Sequence, residues 1–236
     1  MFLLEGNMGA GKSTLLKLIA QHAPELTIVF EPVTAWHSDN QNQSILTHFY
    51  QDQNRWAYTM EKAALLTRVK EYLKEQQDPT KPKIMERSLY SGYYCFARNG
   101  YLQGTLSDIE WNIYNNWFNF LVTSKCKKPS GFIYLYTTPE TCYTRMHKRK
   151  RAGEDIVPLA YLIQIHQAHE NFLRHKDIMA ELKTVPVLEL DGTQDFSNNS
   201  ERIADFIQKI RTFIQAHQAH PPFELHSPKK SSLLQA

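Results

Sequence analysis

The sequence predicts an α/β fold, a parallel β-sheet of about five strands flanked by helices. Two patterns carry that reading. Short apolar runs alternate with long stretches of helical periodicity, the signature of strands joined by crossover helices. A glycine-rich turn also separates the first apolar run from the first helical stretch. In such sheets ligands bind beyond the carboxyl ends of the strands, so the residues that close each apolar run are the candidates for chemistry.

Phe2–Glu5 reads as a short buried strand. In the stretch that follows, "GNMGAGKST", Gly6, Gly11, Lys12 and Ser13 satisfy G-x-x-x-x-G-K-[ST]. Glycines let successive backbone N–H groups turn toward an anion. Lys12 can reach the outer phosphates, and Ser13 can offer its hydroxyl to Mg²⁺. Asn7, Met8, Gly9 and Ala10 fill the loop. Thr14 opens a helix to Gln21, whose N-terminus favours negative charge. The other expected strands are Thr27–Glu31, Lys83–Glu86, Gly131–Tyr136 and Val185–Leu190. Helical patterns cover Arg55–Glu75, Asp108–Ser124, Leu159–His175 and Ser200–Ala216. "QDPTKPK" and "SKCKKPSG" read as loops that lead into the third and fourth strands.

A length of 236 residues with 42% hydrophobic content suits one large domain, placed at 1–216. The proline- and serine-rich stretch 217–236 is expected to be a flexible tail. A net charge of +3 argues against a dedicated nucleic-acid binder. Cys95, Cys126 and Cys142 are odd in number and scattered, which fits a reducing compartment. No window has the apolar length of a membrane span, and the phosphate loop begins too early to leave room for a signal or transit peptide. A cytoplasmic location is expected.

Strand two closes on Glu31-Pro32-Val33 and strand three on Glu86-Arg87-Ser88. A carboxylate beside a phosphate site can hold Mg²⁺ or accept a proton from an attacking hydroxyl. Two carboxylates on different strands can divide those jobs. An arginine next to them supplies positive charge where a transferring phosphoryl group gathers negative charge. That is a kinase layout. Further on, "TRMHKRKRAGEDIVP" places Arg145 and Arg149 four residues apart on one helical face, with Lys148 and Arg151 close by. Such a run is usually a solvated helix face. Beside a phosphate loop it also reads as a lid. Glu154 and Asp155, at the tip of this cationic segment, serve either a sugar hydroxyl or charge balance.

The motifs "EGNMGAGKST", "EPVTAW", "FYQDQNRWAYTM", "IMERSLYSGYYCF", "RMHKRKRAGEDIVPLAYL" and "VLELDGTQDF" together resemble the deoxyribonucleoside kinase family. The resemblance runs in register from Phe2 to about Phe196. It implies a P-loop kinase fold with an Arg-rich lid, ATP with Mg²⁺, a deoxynucleoside acceptor and a homodimer built through long helices. It also implies residue roles. Glu31 resembles the general base for the 5′-hydroxyl, with Arg87 orienting that hydroxyl and the phosphoryl group. Ser13 and Glu86 resemble the magnesium shell. Tyr50 and Glu154 resemble the pair that bonds the sugar 3′-hydroxyl, and Trp36 and Phe96 the walls around the base. Arg145, Arg149 and Arg151 resemble the lid arginines. Asp195 and Phe196 fall where the family touches the donor adenine.

One departure bears on specificity. The family reads the base edge with a glutamine, and this chain has Glu61 there. Arg68 lies seven residues on, about two helical turns and so on the same face. Gly92 stands where the deoxycytidine and deoxyguanosine kinases have an aspartate. Arginine suits guanine O6 and N7, and a carboxylate suits an exocyclic amine. Together they favour a purine, deoxyguanosine or deoxyadenosine, over a pyrimidine or a broad range. In the plainer alternative Glu61 and Arg68 satisfy each other and the base is read elsewhere. A thymidylate-type monophosphate kinase and a non-catalytic nucleotide switch remain rival readings.

Overall fold

Five strands form one sheet in the order β2-β3-β1-β4-β5: β1 Phe2–Glu5, β2 Thr27–Val29, β3 Lys83–Glu86, β4 Gly131–Tyr136 and β5 Val187–Asp191. All four pairings are parallel; Leu3 stands opposite both Met85 and Phe132. This computed structural model describes residues 1–36, 44–78, 80–151 and 154–218, with Asp155 through its backbone alone. The expected tail, apart from His217 and Gln218, lies outside the described residues.

The first half of the chain carries α1 (Lys12–His22), α2 (Ile45–Gln51), α3 (Gln53–Glu75), α4 (Leu89–Ser91) and α5 (Arg98–Leu102). The second half carries α6 (Asp108–Ser124), α7 (Pro139–Arg149), α8 (Leu159–His169), α9 (Ala180–Lys183) and α10 (Ser200–His217). Side chains on a strand alternate between faces, so the sheet feeds two cores. Phe2, Leu4, Ile133 and Leu135 pack toward α1 and α10, whereas Leu3, Phe132 and Tyr134 pack toward α3 and α6. Strands covered on both faces need continuous apolar runs, which is why the sequence reads "FLL" and "FIYLY". No helix among the described residues is long and apolar enough to cross a membrane.

Helices α1, α3 and α10 differ from the expected bounds by one or two residues at one or both ends, and three other elements differ for a local reason. Strand two stops at Val29, not Glu31, because the chain turns there into Pro32 and a 3₁₀ turn over Val33–Trp36. Strand five starts at Val187, since Pro186 has no N–H to give the ladder. The expected helix Leu159–His175 is α-helical only to His169 and then widens into a π turn, Glu170–Arg174. That widening buries Phe172 and Leu173, and Phe172 stacks on Tyr94 at 5.2 Å. A second π turn, Gly92–Ala97, follows α4 and has no counterpart in the sequence reading.

In the order β2-β3-β1-β4-β5, β1 connects toward one edge and β4 toward the other. A crevice therefore opens at the carboxyl end of β1. The phosphate loop sits there.

Candidate active site

The phosphate loop is built from close backbone approaches. Gly6 and Gly9 both have positive φ, and a Cβ on Gly9 would stand 2.3 Å from the Cys142 carbonyl oxygen. Only glycine fits there. Asn7 ties the loop to α8 by donating to the Leu162 carbonyl at 2.9 Å. Lys12 is buried and donates to the Gly6 and Asn7 carbonyls at 3.0 and 2.8 Å. Burial, and after it the neighbouring Arg87, pushes its amine down to about 8. Phosphate oxygens arriving in the loop would restore full charge to Lys12.

Ser13, in the first turn of α1, donates to Glu86 Oε1 at 2.6 Å, and Glu86 Oε2 faces the Glu31 N–H at 3.5 Å. No cluster of three or more His, Cys, Asp or Glu side chains suited to a metal exists among the described residues. A hydroxyl beside one carboxylate still fits Mg²⁺, which takes few protein ligands and completes its shell with phosphate oxygens and water.

Glu31 lies between two guanidinium groups. It accepts from Arg68 Nη2 at 2.7 Å and Nε at 3.2 Å, and Arg87 Nε stands 3.3 Å away. Burial alone would raise its carboxyl group, but Arg87, Arg68 and Lys12 outweigh that and hold it below the usual range. Glu31 is thus ionised at neutral pH despite its burial. Arg87 is only 4% exposed, lies 4.6 Å over the Phe96 ring, and has a left-handed backbone at φ 57°. A non-glycine residue keeps such a conformation only where its surroundings impose it. Here the Arg87 N–H donates to Leu4 and the Ser88 N–H donates to Glu5 Oε1 at 3.1 Å. Glu5, the acidic end of β1, is a positioning residue that the sequence reading passed over.

A cavity of about 290 Å³ extends from Glu31 to Glu61, lined also by Trp36, Tyr50, Phe96 and Glu154. Its far wall includes Tyr161 of α8, which carried no role in the sequence reading although "PLAYL" contains it. Tyr50 from α2 donates to Met8 Sδ at 3.7 Å. Glu154 is 3% exposed and holds Arg149 through contacts of 2.6 and 2.7 Å, with Arg151 at 3.4 Å. The structure therefore joins the acidic tip to two of the three lid arginines.

Arg145 stands apart from them. Its fork donates to the carbonyls of Ala10, Gly192, Thr193 and Gln194, which ties the phosphate loop to the loop after β5. A second, wider cavity of about 750 Å³ lies on that side, lined by Arg145, Arg149, Asp195 and Phe196. Phe196 is 3% exposed, and a Cβ on Gly11 would stand 3.1 Å from its ring. Both cavities reach Gly9, Gly11 and Thr14. One phosphate loop thus serves two chambers.

The Glu61 and Arg68 pairing weighed from the sequence does not form, because Arg68 turns to Glu31 and lies 5.1 Å from the Trp36 ring. Among the described residues no hydrogen bond reaches Glu61 Oε2. A Cβ on Gly92 would stand 2.7 Å from Arg68 Nη1. The bare backbone there leaves Arg68 its present course.

A phosphate loop with a clamped carboxylate across from it defines a nucleotide-dependent phosphotransferase. The chain belongs to the deoxynucleoside kinase family, whose model matches residues 2–215. It is similar to deoxycytidine kinase 2 of Gallus gallus, at 34% identity over 89% of each chain. A probable deoxycytidine kinase of fowlpox virus is 37% identical, over 89% of this chain and 86% of its own. The mitochondrial deoxyguanosine kinase of Xenopus laevis is 30% identical, over 89% and 88%. The chain is therefore an enzyme that phosphorylates an alcohol acceptor. The rival readings as a monophosphate kinase and as a nucleotide switch fall away.

Proposed function

We propose that the enzyme transfers the γ-phosphoryl group of ATP to the 5′-hydroxyl of a deoxynucleoside in nucleotide salvage, with a purine favoured. The observation that carries this is the ionised Glu31, held by Arg68 and Arg87 in the smaller of two chambers that share one phosphate loop. The donor lies in the wider chamber with its phosphates in the loop, and the acceptor lies against Glu31. Transfer is direct and in line. Positioning and charge supply most of the rate.

Glu31 orients the 5′-hydroxyl and takes its proton as the bond to phosphorus forms. Its lowered basicity suits a loose transition state in which that proton leaves late. Arg87 and Lys12 face the charge on the transferring group. Ser13 and Glu86 would hold Mg²⁺, which neutralises phosphate charge when bound. Arg149 and Arg151 close the chamber, and Tyr50 and Glu154 meet the sugar. The purine preference rests on Glu61 alone, because Arg68 fills the space beside Gly92 and Gly92 does not line the acceptor chamber. The names of the similar deoxycytidine kinases favour a second reading, a pyrimidine acceptor.

The test is initial rates with ATP for the four natural deoxynucleosides, for wild type and Glu31→Gln. The variant should bind ATP as before while kcat falls by roughly 10²–10⁴. Near-normal turnover would remove Glu31 as the base, and a strong thymidine or deoxycytidine preference would remove the purine reading.

A further inference from the structure

Glu61 is 7% exposed, lines the acceptor chamber at the end away from the phosphate loop, and has no partner on Oε2 among the described residues. Tyr114 of α6 is fully buried, and its hydroxyl is also without a partner. A Cβ on Gly92 would stand 3.9 Å from that hydroxyl. A partnerless carboxylate oxygen on a residue that lines a ligand cavity costs free energy unless a ligand or water meets it. With the deoxynucleoside reading in place, the base occupies that end.

We propose that Glu61 is a proton-switched reader of the base, selecting guanine when ionised and accepting adenine or cytosine when protonated. The argument is donor and acceptor arithmetic. An ionised carboxylate only accepts, whereas a protonated one offers an O–H donor beside a carbonyl acceptor. Guanine presents N1–H and N2–H side by side on its pairing edge, two donors for two carboxylate oxygens. Adenine and cytosine present a ring-nitrogen acceptor beside an amino donor. That pattern matches the protonated acid, which has the same heavy-atom skeleton and the same donor–acceptor pair as glutamine. Against the ionised form, that ring nitrogen meets a second acceptor with no proton between them.

The surroundings place the switch near neutrality. Arg68 on the same helix and Arg87 after β3 favour the ionised form, Glu31 after β2 opposes it, and the neutral Tyr114 and Tyr161 face it from α6 and α8. Burial is the largest influence and carries the carboxyl group up to about 7.

The experiment compares kcat/KM for deoxyguanosine with that for deoxyadenosine and deoxycytidine from about pH 6 to about pH 8, where none of these bases titrates. Taking the ratio cancels ionisations common to all substrates, including those of Glu31 and Lys12. The ratio should rise in favour of deoxyguanosine by about tenfold or more across that range in wild type. In Glu61→Gln it should stay level. A wild-type ratio level within about twofold would overturn the switch, as would a Gln variant that follows the wild-type slope. Neither result touches the kinase reading. Phosphorylation of any one deoxynucleoside secures that reading, and failure with all four at every pH sinks it and the switch together.

Discussion

At the scale of single residues the site holds two buried carboxylates driven in opposite directions. Glu31 has three cations around it and stays ionised, while Glu61 keeps less of their help and rises to about 7. For Glu61 the folded state binds its proton more tightly than the unfolded state. Its share of stability is therefore fully present below the usual carboxyl value near 4.5 and is lost as pH rises through about 7. The span corresponds to roughly 3 kcal/mol, an upper value for a group with some solvent access. Glu61→Gln has no proton to lose. Urea midpoints at about pH 5 and about pH 8 should show the variant gaining on wild type by on the order of 2–3 kcal/mol at the higher pH. Curves that stay parallel would mean that the carboxyl group titrates normally. The sequence made Glu61 visible because one residue broke an otherwise familiar motif. It could not show that Arg68 would prefer Glu31, because those residues stand 37 apart and meet only once β2 and α3 are packed.

At the scale of elements, legibility followed how local each determinant is. Lys83–Glu86, Gly131–Tyr136 and Asp108–Ser124 form as read, since apolar runs and a Ser107–Glu110 capping box are written in adjacent residues. The π turns at Gly92–Ala97 and Glu170–Arg174 were not legible, because an extra residue per turn is set by what the aromatics pack against. The lid tip was legible as charge or as a sugar contact, but not as a buried turn. The short 3₁₀ turn Glu154–Ile156 buries one carboxylate beside Tyr50 and turns α7's cationic end toward the chamber. If this turn reads the sugar, Glu154→Ala should lose about 10- to 100-fold in kcat/KM for a deoxynucleoside, the value of a charge-assisted hydrogen bond. It should lose far less for the matching 2′,3′-dideoxynucleoside. An equal loss with both substrates would assign Glu154 to holding Arg149 alone.

At the scale of the whole molecule, both chambers open on the carboxyl side of the sheet, and a broad apolar face lies elsewhere. Along α6, Ile109, Ile113, Trp117 and Phe120 are 73%, 41%, 48% and 50% exposed, and Leu66 on the adjacent α3 is 55% exposed. Spacings of three and four residues put the four α6 side chains on one stripe. Single exposed apolar residues are ordinary, but a contiguous stripe of this kind marks an interface. The homodimer through long helices that the family resemblance leads one to expect would put a second copy of the chain here, across α3 and α6, because a stripe on one helix can pair with itself about a two-fold axis. The Lys62 ammonium already lies 5.0 Å over the Trp117 ring, which leaves the indole edge for the partner. Light scattering after gel filtration should give about twice the chain mass for wild type. Trp117→Glu, which would bury a charge at the centre of the stripe, should shift the protein to monomer with its secondary structure intact. Monomeric wild type at micromolar concentration, or a Trp117→Glu protein that stays dimeric, would move the interface off this face. Lys12, Glu31 and Arg87 line a cavity that none of the stripe residues lines, so a dissociated Trp117→Glu chain should still bind ATP. Lost ATP binding would show instead that α3 transmits the contact inward to Arg68 and Glu31.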